Sequence, residues 1–418
     1  MLFSSLFANP RLALYAFCAV AASGFGQTFF VSMMGEAFRT SFALSHTVYG
    51  SVYSGATIAS ALLLLRFGSL ADTWSLPRVT GLAVLVLSAG CLSIGAAPNA
   101  LLLGFGFVCI RFGGQGFMSH LGITTAARYF PAHRGSAVAL AAFGFPLAEA
   151  LLPAGAALGI EHIGWRWPWF AASGILLFGI WPLLAVLARK TPAPVQDTQV
   201  TAQPEGQESF TREQVLRDPG LYLLLPAAVA TPFVVTALFF HQAAIGQMQG
   251  WSLSTLASAF TGYAAAHLVA LCCAGPVVDR IGALRTLPLA LYPMLGSLVV
   301  LAGEHGNGAA LLYMGLLGTT QGFASTAAGA VWAERYGVVH LGAIRAMFQA
   351  VMVVSTAIAP LLFGFLLDQQ LNLAVLSLGT AGAVFAASCL ALCCPPGKTR
   401  LVQETIPSDS GANQSKNS

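Results

Sequence analysis

Apolar stretches of about 20 residues, enough to cross a ~30 Å hydrocarbon layer, alternate along the chain with short polar breaks. Twelve such stretches predict membrane helices over residues 12–33, 47–67, 79–97, 100–122, 136–159, 168–188, 219–241, 253–274, 286–303, 309–332, 346–367 and 373–392. The first is read as a retained helix, because its apolar run is too long for a cleaved leader. Between the sixth and seventh lies RKTPAPVQDTQVTAQPEGQESFTREQVLRDPG, rich in Pro, Gln and charge, which predicts a flexible linker over 189–218. Its end, Thr211 to Gln214, fits a capping box that opens a short surface helix. Pro226 and Pro232 predict a bend or break in the seventh span.

Only 8% of the residues are charged, against about 25% in soluble domains, and 56% are hydrophobic. A net charge of +4 with no basic block gives no sign of a nucleic-acid partner. All but three of the 19 Lys and Arg residues fall on one side if both ends are cytoplasmic; the exceptions are Arg39, Arg166 and Arg111. That bias predicts an even number of spans in a bacterial inner membrane, with a disordered cytoplasmic tail over 395–418. The eight cysteines lie in or beside apolar segments and read as small buried hydrophobes. Cys272–Cys273 and Cys393–Cys394 lack His or Cys partners at metal spacing, so neither a metal nor a cofactor is expected.

The two halves align at an offset of 207 residues. Ser45, Ser51, Gly55, Gly68, Asp72 and Arg78 map onto Ser252, Ser258, Gly262, Gly275, Asp279 and Arg285; Arg128-Tyr129 maps onto Arg335-Tyr336, and Pro153 onto Pro360. The expected architecture is an all-α membrane protein of two six-helix pseudo-repeats in parallel, residues 1–188 and 219–394. GPVVDRIGALR (275–285) resembles the signature of major facilitator transporters: Gly275, three residues, Asp279, Arg280, one residue, Gly282, then Arg285. Its counterpart GSLADTWSLPR keeps Gly68, Asp72 and Arg78 but has Thr73 and Ser75 where Arg and Gly are usual. The resemblance implies that these are gate residues, whose arginines latch the halves on the cytoplasmic side in one state and release them in the other.

Arg111, in FVCIRFGGQGF, stands in an otherwise apolar span, where a charge costs about 2.5–3.5 kcal/mol on insertion scales. It resembles the family's span-four arginine, with one residue more before Gln115 and Gly116 than the usual Arg-x-x-Gln-Gly, and the resemblance implies that Arg111 and Gln115 line the central cavity as substrate ligands. Arg111, Gln115 and Ser119 form a polar stripe, and the nearby glycines leave a surface able to pack closely. Glu149 of span five falls at nearly the same depth, since 1.5 Å per residue sets Arg111 about 17 Å from one face and Glu149 about 20 Å from the other. An Arg111–Glu149 ion pair is therefore geometrically allowed, and a contact that changes between states would take up and release a proton. Gln27, Gln321 and His267 are further candidate ligands, and Phe29, Phe30, Tyr53, Phe239, Phe240, Tyr263 and Phe323 candidate cavity walls. The antiporter pattern of span five, which ends in Gly-Pro in the family, here ends in Ala148-Glu149.

Together these readings imply a monomeric, proton-coupled secondary transporter for a small organic solute, an anion such as a monocarboxylate. The partners expected are the solute, protons and the lipid bilayer. The paired Gln-Gly-Phe segments and TREQVLRDPG look loosely like the monocarboxylate and oxalate–formate branch, which usually has a basic residue in the C-terminal spans; none falls inside the spans predicted here. The alternative is a proton-driven efflux permease for a drug, toxic compound or metalloid. No HExxH or GxSxG motif supports an enzyme, and paired gate signatures suit alternating access rather than a channel.

Overall fold

In the computed structural model, which describes residues 9–130, 133–189, 191, 210–303, 306–337 and 340–395, each predicted apolar run falls mainly in helix. The spans are Pro10–Ser32, His46–Phe67, Leu76–Gly95, Ala100–Tyr129, Arg134–Ile163, Trp167–Leu187, Pro219–Phe240, Leu253–Ile281, Ala283–Ala302, Asn307–Tyr336, Leu341–Asp368 and Leu373–Leu392. Eleven of them are long and apolar enough to cross a membrane. The other, span ten, runs 30 residues, and its central GTTQGFAST lowers its hydropathy while it packs against spans eight and nine.

Sequence signals start these helices where the chain needs them. Ser45 and Ser252, repeat-related, accept from Val48 N at 3.2 Å and Thr255 N at 3.1 Å at the starts of spans two and eight. Asn99 and Asn372 cap spans four and twelve in the same way. The predicted capping box forms at Thr211 and Gln214 and opens a short helix, Arg212–Arg217. Most of the predicted linker, and all of the tail beyond Pro395, lie outside the described residues. At the entrance to span seven Asp218 takes Arg335 Nη2 at 2.8 Å and Tyr336 Oη at 2.9 Å. Burial opposes its ionisation, but these donors and the Gly220 amide hold the carboxyl below its ordinary range.

Two expectations about helix shape change. Span seven does not break at Pro226 or Pro232: one helix runs from Pro219 to Phe240. Span one does break: Gly24–Gly26 is a 3₁₀ turn and Gln27 is extended, before Thr28–Ser32 resumes the helix. The break lies where spans one and four cross, and a Cβ on Gly26 would overlap the Ile110 carbonyl.

The signature turns also differ for a physical reason. Gly282 has φ 83°, a left-handed conformation that favours glycine, whereas its repeat partner Ser75 has φ −63°. The first copy turns by another route, so glycine is not needed there. The first amide of span nine, Ala283 N, is capped by Glu334 of span ten at 2.5 Å, while the signature's Asp279 is exposed.

Candidate functional site

Opposite the termini, the two halves meet tightly. Asp368, the last residue of span eleven, accepts from His46 N at 3.0 Å, Thr47 N at 2.8 Å and Thr47 Oγ1 at 2.5 Å. Across the halves, Tyr49 and Phe240 stack with ring centroids 4.3 Å apart, and the His46 and His241 rings lie 5.7 Å apart. Gly50 and Gly364 permit this approach, since a Cβ on either would overlap backbone of the other span. On the terminal side, Arg78, Asp279, Arg280 and Arg285 are exposed and form no ion pair among the described residues; the Asp72 side chain lies outside them. The bundle is thus shut on the side away from its termini and, among the described signature residues, unlatched on theirs.

Between the halves is a cavity of about 390 Å³, walled by spans one, four and five and by spans seven, eight, ten and eleven. Gln27, Gln115 and Gln321 line it, as do Glu149 and His267. Glu149 Oε2 and His267 Nδ1 are 2.8 Å apart, and the residues are 6% and 5% exposed. The expected Arg111–Glu149 pair is therefore corrected: the partner of Glu149 comes from span eight in the other half. Sequence alone had no means to choose it, because the contact joins residues 118 positions apart.

The expectation that Arg111 lines the cavity is also corrected: the residue is 2% exposed and is not part of the lining. Its Cζ lies 5.0 Å from the centre of the Tyr53 ring, and its Nε and Nη1 have no hydrogen-bond partner. Tyr53 Oη is 3.0 Å from Thr28 Oγ1, and Thr28 faces the cavity. The guanidinium thus stands one layer behind the wall, with no carboxylate in ion-pairing distance among the described residues.

The local winding explains this placement. Arg111–Met118 is a π-helix, and a π-turn takes up one extra residue inside an α-helix. That is the residue by which this segment exceeds the pattern it resembles. Gln115 reaches the cavity while Arg111 turns to Tyr53, and Ser119 bonds back to the Gln115 carbonyl, so the expected polar stripe is interrupted. Gly113 and Gly114 pack against Leu87 and Gly26, which gives the close-packing surface foreseen for this segment.

Of the expected aromatic walls, Phe29, Phe239 and Tyr263 face the cavity. Phe30 packs on Phe25 and Trp169, while Tyr53 and Phe240 join the shut end; Phe323 is not part of the lining. Thr236, Ser325, Gln349 and Thr356 also line the cavity and were not foreseen. The signal for Gln349 was a lone glutamine inside the predicted run 346–367; the helix of that span begins earlier, at Leu341. This earlier start places Arg345 near the beginning of that helix, exposed on the terminal side.

The solved structures of a bacterial homologue of the human lysosomal transporter Spinster have a similar fold. The inward-facing unoccupied form is 14% identical, covering 92% of this chain and 94% of that one with a TM-score of 0.59. The inward-facing occupied form is also 14% identical, covering 93% and 94% with a TM-score of 0.60. No curated protein matches the chain. The family model of the Major Facilitator Superfamily matches residues 16–257, more than half of the sequence. With twelve long helices among the described residues, in two halves around a central cavity, the chain belongs to the Major Facilitator Superfamily and is a transporter that moves a solute by alternating access.

Proposed function

We propose that this transporter carries a small organic anion, most simply a monocarboxylate, together with a proton. The observation that carries this reading is the Glu149–His267 pair, which joins the two halves inside the cavity. With one proton on the pair, a carboxylate and an imidazolium balance each other. A second proton makes Glu149 neutral and leaves the imidazolium without a counter-charge. The solute's carboxylate then supplies it, aided by the amides of Gln27, Gln115 and Gln321. One proton and one anion together add no net charge, so the loaded cavity crosses between states without carrying an uncompensated charge through a low-dielectric region. The unpaired Arg111 guanidinium behind Tyr53 adds a positive field to the same wall.

The Lys and Arg distribution supports cytoplasmic termini, which makes the unlatched side the cytoplasmic one, in a bacterial inner membrane. On this reading residues 1–188 and 219–394 rock as a monomer's two bodies. The signature residues Gly68, Asp72, Arg78, Gly275, Asp279, Arg280, Gly282 and Arg285 close the cytoplasmic gate in the alternate state. A thermal-shift screen of monocarboxylates on purified protein, repeated with His267→Gln and Arg111→Gln, identifies the cargo. In liposomes, Glu149→Gln is expected to abolish accumulation driven by a pH gradient while counterflow persists; unchanged proton-driven uptake contradicts the coupling role.

A second reading, proton-driven efflux of an organic cation, is favoured by the one carboxylate of the cavity and by its aromatic walls. It predicts that cations, not carboxylates, stabilise the protein, and that Glu149→Gln removes the effect.

A further inference from the structure

A second cavity, of about 300 Å³, lies between spans seven, ten and eleven on the terminal side. Ser325, Gln349 and Met352 line both this cavity and the central one, so the two adjoin. Arg345 stands in the outer cavity, exposed, one helical turn below Gln349. Its Nη2 donates to the Gly329 carbonyl at 2.5 Å, which fixes the guanidinium beside span ten, and among the described residues it has no carboxylate partner. Part of the wall is aromatic: Trp332, one turn from Gly329, is buried and stacks with rings 8° from parallel on Phe348, one turn from Arg345. A fixed cation, an amide one turn further in and an aromatic slab are the elements that recognise an amphipathic carboxylate.

We propose that this outer cavity is an entrance subsite, which takes the carboxylate of an organic anion on Arg345, with its apolar body against Trp332 and Phe348, before the anion passes Gln349 to the central cavity. The role of the subsite as an entrance rests on the anion reading above, while its binding chemistry is tested separately. Benzoate is small enough for the cavity and serves as the probe, with benzamide as its neutral counterpart. Titrating benzoate into the purified full chain is expected to quench tryptophan fluorescence saturably, and Trp332→Phe to remove that component.

Arg345→Gln is expected to weaken the titration about tenfold or more, as loss of a charge-assisted contact should. Arg345→Lys, which keeps the charge, is expected to retain most of the binding and shows that a loss in Arg345→Gln is not a folding defect. His267 does not line the outer cavity, so in His267→Gln the Trp332-dependent component is expected to keep the parent's midpoint whatever happens at the central site, and the two sites are read apart. No benzoate quenching in the parent, equal quenching by benzamide, or an Arg345→Gln titration like that of the parent each overturns the subsite.

Discussion

Arg111 illustrates how a residue can stand out in a sequence and be misread in both place and partner. Its cost in an apolar span marks it from sequence, but its side chain meets the face of Tyr53 rather than a carboxylate. Two of its nitrogens stay without hydrogen bonds, an arrangement that stabilises the fold poorly. Replacing it by an apolar side chain of similar length removes that burden. Arg111→Met is therefore expected to leave the unfolding midpoint unchanged or higher while weakening binding of the cargo anion. A large drop in the midpoint would instead make the guanidinium a structural element. Glu149 and His267 were each visible as isolated titratable residues, but their pairing depends on how two separate halves dock, which local pattern does not encode.

At the scale of elements, the helices were legible because twenty-residue apolar runs are long and strongly marked. The errors fall where polarity intrudes on a helix that packing extends. Arg345 moved the apparent start of span eleven inward, and the polar centre of span ten dilutes its hydropathy. The π-turn was legible only as one residue too many, without the direction in which it would turn Arg111. The crossing of spans one and four makes a further demand: Gly26 lies so close to the Ile110 carbonyl that any side chain must push the spans apart. Gly26→Val is expected to cost about 2 kcal/mol or more by overpacking, read as a lowered unfolding midpoint. Gly55→Val, where a Cβ meets nothing within 4 Å, is the matched control and should change the midpoint little.

Over the whole molecule, the repeat read from sequence reappears in paired serine caps and in prolines at matching places within spans five and eleven. The state of the bundle was not legible, since either state uses the same sequence. It is held on the shut side by Asp368, which gives its carboxylate to the first turn of span two. Asp368→Asn keeps the shape but removes the charge that favours a helix N-terminus. It is expected to shift the population toward the state open on that side, measured as faster labelling of a cysteine placed at Thr47. Labelling no faster than in a Thr47→Cys parent would assign the closure to the aromatic stack alone.

Span two thus borrows part of its cap from a helix in the other half, and the loan ends whenever the halves separate there. Each turnover must then leave the amides of His46 and Thr47 to water for as long as that side is open. Hydrogen exchange at these two positions becomes a clock for the transport cycle, quickening with cargo flux and slowing when the carrier is held shut.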